Sequence, residues 1–91
     1  EGLKMYALEI YAIDKEDNIM YSKILFLEDL KSVCSHWKEH LNEFGSLKLT
    51  SDKEERILKN DLKYLNYSLD NMNVVFKIHT VKCGDVIELI C

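Results

Sequence analysis

A local change in the spacing of apolar residues constrains the fold of this chain more than any other feature. Across residues 28–44 the apolar positions recur every three or four residues, which is the period of an α-helix. On a helical wheel they occupy an arc of about 100°, and Gly45 follows as a natural C-terminal cap. The pattern predicts an amphipathic helix with one buried face, formed by Leu30, Val33, Cys34, Trp37, Leu41 and Phe44.

The segments on both sides of this helix alternate with the period of two that is typical of strands. Residues 3–13 and 19–27 flank the polar turn at 14–18, which predicts an antiparallel hairpin. Residues 73–81 and 86–91 flank a turn at 82–85, which predicts a second hairpin. The short alternating run at 46–50 predicts a brief edge strand.

A second helix is predicted to begin at Ser51. The run Ser51-Asp52-Lys53-Glu54 matches a capping box. Leucines at helical spacing follow it, and we expect the helix to end near Asn71; these leucines are Leu58, Leu62, Leu65 and Leu69. The resulting order is ββα(β)αββ, which indicates a two-layer α+β sandwich in which one antiparallel sheet carries both helices on one face. At 91 residues, we expect residues 1–91 to form one domain.

Composition limits the classes of partner. The chain has 12 basic and 16 acidic residues and a net charge of −4, which disfavours direct binding to nucleic acid. It lacks the roughly 18 consecutive apolar residues that a membrane span needs, and its first twenty residues do not form a signal peptide. Three cysteines make a poor disulfide framework. We therefore expect a cytoplasmic protein in a reducing environment.

Residues 32–40, SVCSHWKEH, place a thiol and two imidazoles on the first helix. On the helical wheel Cys34 lies on one side of Trp37 and the histidines on the other, so the thiol and the imidazoles cannot share a metal ion. His36 and His40, at i and i+4, could supply half of a metal site, which would need further ligands from elsewhere. Glu39, Glu43, His79 and Cys83 are the candidates. We expect no metal and no cofactor.

Catalytic signatures are also missing from the sequence. Cys34 lies on the predicted core stripe, where a thiol is buried and unreactive. Cys83 lies in a predicted turn beside Lys82 and is the more reactive cysteine by position. The chain contains no phosphate-binding glycine loop and no nucleophile or metalloprotease motif. The sequence therefore predicts neither an enzyme nor a small-molecule substrate.

The first hairpin is apolar on both of its faces. With both helices on one side of the sheet, the other side would expose tyrosine, methionine and aliphatic side chains, which are favoured at protein interfaces. We expect this second face to bind a protein partner or a second copy of the chain. The predicted interface residues are Met5, Ala7, Tyr11, Ile13, Tyr21 and Leu25.

The sequence thus favours a small, non-catalytic protein-binding module. A narrower form of this hypothesis is an acidic inhibitor or immunity-type protein that blocks a functional surface of its partner. Two alternatives belong to other classes. One is a homodimeric structural subunit, and the other is a small metal-binding or thiol enzyme that uses His36, His40 or Cys83.

Overall fold

Four antiparallel strands and two α-helices make up the described part of the chain. A computed structural model describes residues 4–45 and 47–82. The elements are β1 (Lys4–Asp14), β2 (Ile19–Leu27), α1 (Leu30–Leu41), a 3₁₀ turn (Asn42–Phe44), α2 (Ser51–Leu58), β3 (Tyr64–Ser68) and β4 (Met72–Lys82). The strand order is β2-β1-β4-β3, with every neighbouring pair antiparallel. Both helices contribute to one core on one face of the sheet, which confirms the predicted α+β sandwich.

The hydrophobic core lies between this face and the helices. Alternate residues of β1 pair with alternate residues of β4, so that Ile10, for example, lies opposite Phe76. Trp37 of α1 is fully buried and stacks on Phe76, with their ring centroids 4.8 Å apart. The predicted helix stripe is confirmed, because four of its residues are buried and the other two pack against the core. The buried four are Val33, Cys34, Trp37 and Leu41, and the other two are Leu30 and Phe44.

Specific residues set the ends of α1. The Asp29 carboxylate accepts a hydrogen bond from the backbone N–H of Ser32 at 2.7 Å, which satisfies one of the free donors at the start of the helix. After the 3₁₀ turn, Gly45 has a φ of +97°, which an L side chain rarely adopts. The chain therefore leaves the helix where the sequence predicts.

The second helix is much shorter than the leucine spacing predicts. It ends at Leu58, because Asn60 takes a left-handed φ of 60°. The N–H of Asp61 then bonds the carbonyl of Arg56 at 2.8 Å and the N–H of Asn60 bonds that of Ile57 at 2.9 Å, which is a Schellman motif. The later leucines still reach the core, from the following loop, from β3 and from its end. These leucines have the spacing of a helix in the sequence, but they lie outside α2 in the structure.

The segment before α2 also differs from the prediction. Residues 47–50 contain no strand, although Leu49 is buried against the core and Leu47 packs beside it. Thr50 caps α2, since its hydroxyl oxygen accepts a hydrogen bond from the N–H of Lys53 at 3.3 Å. The predicted strand at 86–91 and the turn before it lie outside the described residues, apart from Lys82.

A β-bulge at Met20 decides which side chains of β2 face the helices. Ile13 pairs with Ile19, but the next pair is Ala12 with Tyr21, so Met20 is an extra residue on β2. Beyond this point each odd-numbered residue of β1 lies opposite an even-numbered residue of β2. A slip of one residue moves every later side chain to the other face of the sheet.

Candidate functional site

The side of the sheet that faces away from the helices is the candidate site, and we call it the outer face. Neither α1 nor α2 packs on it, because both helices join the core on the opposite side. Strand register and alternation define its members. They are Met5, Ala7, Glu9, Tyr11 and Ile13 of β1; Ile19, Ser22, Ile24 and Phe26 of β2; Tyr64, Asn66 and Ser68 of β3; and Asn73, Val75, Lys77, His79 and Val81 of β4.

Four of the six predicted interface residues lie on the outer face, and two do not. Met5, Ala7, Tyr11 and Ile13 alternate with the core residues of β1 and point outward. Tyr21 and Leu25 are instead partly buried against the core, which corrects their predicted place. The Tyr21 ring meets the Phe44 ring edge-to-face at 5.9 Å.

The bulge explains this error. Without the extra residue, the pairing of Ile13 with Ile19 would continue to Tyr11 with Tyr21, and Tyr21 would point outward. The sequence reasoning also missed Ile24 and Phe26, which the bulge turns to the outer face. Because β2 is apolar at both odd and even positions, its alternation does not distinguish the two registers.

Small side chains of the outer face are buried. Ala7 is fully buried, and Val75 and Val81 are each 4% exposed, although none of the three belongs to the core under the helices. Ala7 lies between Phe26 and His79 on the neighbouring strands. The two central strands therefore carry buried residues on both faces of the sheet.

Around this layer, large apolar side chains remain in contact with solvent. Ile19 is 70% exposed, Ile24 42% and Tyr64 50%. Met20, at the bulge, is 57% exposed. Most of the large apolar residues that are exposed in the described ranges thus lie on the two edge strands, and only Leu58 lies on a helix.

The charged groups of the outer face are already engaged. Glu9 Oε1 lies 2.9 Å from His79 Nε2. The ammonium of Lys77 lies 5.6 Å from the ring centroid of Tyr11 and 5.9 Å from that of Tyr64, which is within cation–π range.

The thiol and imidazoles of α1 do not form a reactive site. Nδ1 of His36 lies 3.0 Å from the Ser32 carbonyl oxygen, and Nδ1 of buried His40 lies 2.8 Å from the His36 carbonyl oxygen. Burial raises the pKa of the Cys34 thiol, and the negative charge of Glu54 adds to this effect. A raised pKa keeps the thiol protonated and poorly nucleophilic.

A metal site is not formed within the described ranges either. No group of three or more histidine, cysteine or acidic side chains converges there to hold an ion. Among the residues of these ranges, His36 and His40 find none of the further ligands that zinc would need. Cys83, the other predicted candidate, lies outside those ranges.

A small cavity lies between the end of α1 and the segment before α2. Its volume is about 200 Å³, and its lining consists of Lys38, Leu41, Asn42, Leu47, Lys48 and Leu49. Typical small-molecule sites enclose about 300–1,000 Å³. The Lys38 ammonium is already bonded to Glu54 at 2.8 Å. This cavity therefore offers neither the size nor a set of converging polar groups for a substrate.

Comparison with known proteins supplies no family for this chain. No family model, curated protein or solved structure matches it. Within residues 4–45 and 47–82, none of the helices has the length and apolar character needed to cross a membrane.

Proposed function

We propose that this protein is a non-catalytic protein-binding module that docks a partner protein on the outer face of its sheet. One observation carries the proposal: an apolar and aromatic sheet face is left uncovered by both helices and keeps Ile24 and Tyr64 in contact with solvent. Exposed apolar and aromatic side chains on one face are typical of interaction sites. Here Ile24 and Tyr64 lie at the two ends of one cross-strand row, on either side of Glu9 and Lys77.

The size of the outer face supports this role. With strands about 4.8 Å apart and about 3.3 Å per residue, four strands span on the order of 600 Å² in projection. A standard protein interface buries about 800 Å² of accessible surface on each partner. Side-chain relief makes accessible area larger than projected area, so this face is large enough to form one side of such an interface.

The chemistry of the face indicates what kind of partner it would bind. Its exposed large side chains are Ile19, Ile24 and Tyr64, while Glu9 is engaged by His79 and Lys77 by two aromatic rings. We expect a partner with an apolar central patch, which would bury these rings without separating the paired charges.

The inhibitor form of the hypothesis is a narrower version of this proposal. It draws on the net charge of −4, which would favour approach to a basic surface. Glu9 is the only carboxylate on the outer face away from the strand ends, and it is paired. In this form, charge would guide the encounter, and apolar contacts would supply most of the affinity.

Affinity capture with matched variants tests the proposal. Tyr11→Ser removes an aromatic ring from the central strand of the outer face, and Leu58→Ser removes an exposed apolar side chain from α2. We expect the wild type and Leu58→Ser to capture the same partner from the source cell and Tyr11→Ser to lose it. Circular dichroism checks that all three proteins are folded.

Footprinting of the captured complex provides a second measurement. Carbene labelling should fall at Tyr11 and Tyr64 when the partner is bound and stay unchanged at Leu58. Equal capture by Tyr11→Ser, or protection confined to the helices, would overturn the proposal.

A further inference from the structure

We infer that this protein forms a symmetric dimer in which the edge of β2 that is unpaired within the described residues pairs antiparallel with β2 of a second copy. The four-stranded sheet of each chain would then continue into the other across a two-fold axis. This inference concerns self-association through a strand edge, which shares Ser22, Ile24 and Phe26 with the outer face, so it goes beyond the proposed function.

The edge of β2 that is unpaired within the described residues would bind another extended strand. β2 ends the strand order, and within the described part of the chain it pairs only with β1. An edge strand presents backbone N–H and C=O groups along its open side, and another strand satisfies these groups directly. At nine residues, β2 is long enough for a stable ladder.

The two edges of the sheet differ in how well they are protected. β3 has five residues and carries Asn66 and Ser68 on its outer side. β2 is longer and has Lys23 as its only charged residue. Natural sheets protect their edges with short strands, charges and bulges. The bulge of β2 lies near its first residue and its one charge is Lys23, so residues 24–27 of this strand carry neither device.

Symmetry and charge select one register for the pairing. Beyond the bulge, β2 is regular from residue 21 to residue 27, and Ile24 is the middle of this run. A two-fold axis perpendicular to the sheet at Ile24 places this side chain against its own copy. A register centred on Lys23 would instead place two like charges opposite each other, which is unfavourable.

The remaining side chains are compatible with this register. Lys23 lies opposite Leu25 of the copy and Tyr21 opposite Leu27, both on the helix side of the sheet. Ser22 lies opposite Phe26 on the outer side. No charged group opposes another, and Ile24, which is 42% exposed in the single chain, is covered by its copy. The same pattern on both strands makes a second copy the fitting occupant.

A perpendicular axis also keeps the outer faces of both chains on the same side. The dimer would therefore present two outer faces next to each other in one continuous sheet. A single chain could still bind a partner through its outer face, so the two proposals can fail independently.

Disulfide trapping tests the register. Directly opposite residues of an antiparallel pair have Cα atoms about 4.5–5.5 Å apart, which is inside the range of about 4.4–6.8 Å for a disulfide. In a background in which Cys83 and Cys91 are replaced by serine, Ile24→Cys should give a covalent dimer on mild oxidation. Leu58→Cys is the matched control, since Leu58 is 46% exposed, and it should remain a single chain on a non-reducing gel.

Light scattering with charge variants tests the dimer itself. Ile24→Lys should convert the dimer to a monomer, while Leu58→Lys should leave it intact. The lysine would lie opposite Glu9 on β1, so we expect the Ile24→Lys chain to stay folded.

Clear outcomes would overturn the inference. The inference is wrong if the wild-type protein is monomeric at its highest soluble concentration. It is also wrong if the Ile24→Lys variant still forms a dimer and Ile24→Cys does not give a covalent dimer. If Ile24→Lys does not fold, the disulfide experiment decides. Tyr11→Ser should retain the dimer while losing the partner, which separates failure of this inference from failure of the proposed function.

Discussion

Replacing Tyr67 with phenylalanine removes the hydroxyl that accepts the hydrogen bond of Trp37. The indole Nε1–H of Trp37 donates to this oxygen at 3.1 Å, and Trp37 is fully buried. The substitution leaves the indole N–H buried without an acceptor, which costs about 1–3 kcal/mol of unfolding free energy. For a domain of this size, such a loss lowers the melting temperature by roughly 4–8 °C per kcal/mol.

Urea unfolding followed by tryptophan fluorescence measures this loss directly, because Trp37 is the only tryptophan. Tyr64→Phe is the matched control on the same strand, and its side chain is on the outer face and half exposed. We expect the control to change the unfolding free energy by less than about 0.5 kcal/mol. Circular dichroism should give the same midpoints.

A double-mutant cycle identifies the partner of the lost hydrogen bond. Trp37→Phe removes the donor, so Tyr67→Phe should be less destabilising in that background than in the wild type, with a coupling of about 0.5–3 kcal/mol. Equal effects of Tyr67→Phe in both backgrounds, or an effect no larger than that of Tyr64→Phe, would refute the reasoning.

Three further predictions concern the core, the bulge and the first helix cap. Trp37→Ala should lower the unfolding free energy by about 3–5 kcal/mol in urea titrations, because it empties the centre of the core; an unchanged midpoint would contradict this. Deleting Met20 should be tolerated within about 1 kcal/mol, since it leaves Ile13–Ile19 and Ala12–Tyr21 as consecutive pairs; deleting Ser22 from the regular ladder should destabilise far more. Asp29→Ala should lower the melting temperature at neutral pH. The backbone N–H of Ser32 holds the pKa of Asp29 below its ordinary value of 3.8, so the stabilisation by Asp29 is present above that value and is lost as the pH falls through the lowered pKa. The difference between wild type and Asp29→Ala should therefore narrow in strong acid, and a constant difference would argue against the cap.

The sequence was sufficient to predict the helices and strands whose apolar residues follow one clear local spacing. The stripe of α1 is a short-range pattern with a capping aspartate before it and a glycine after it, and the structure reproduces it closely. The alternation in β1 likewise places Met5, Ala7, Tyr11 and Ile13 on one face, and Leu8 and Ile10 on the other face are fully buried. The structure of these segments could be predicted without knowing which other segments they pack against.

Where local spacing is ambiguous, the prediction fails. Leucines after Leu58 fit a helix, but Asn60 in the left-handed region ends α2, and Leu65 reaches the core from a strand. An asparagine between Lys59 and Asp61 is a recognisable stop signal, so this error was avoidable.

The bulge was not predictable in the same way. The faces of β2 are both apolar, so the sequence fits either register equally well, and only packing against the rest of the sheet selects one. For this reason the face on which each side chain lies was predicted correctly on β1 and wrongly on β2.

The two-sided packing of the central strands has a consequence for molecular recognition. β1 and β4 are each eleven residues long, pair along their length and carry buried residues on both faces of the sheet. These two strands therefore have few alternative conformations to lose when a partner binds over them. Association with a rigid surface carries a smaller ordering penalty than association with a loop, so modest contacts are enough for measurable affinity.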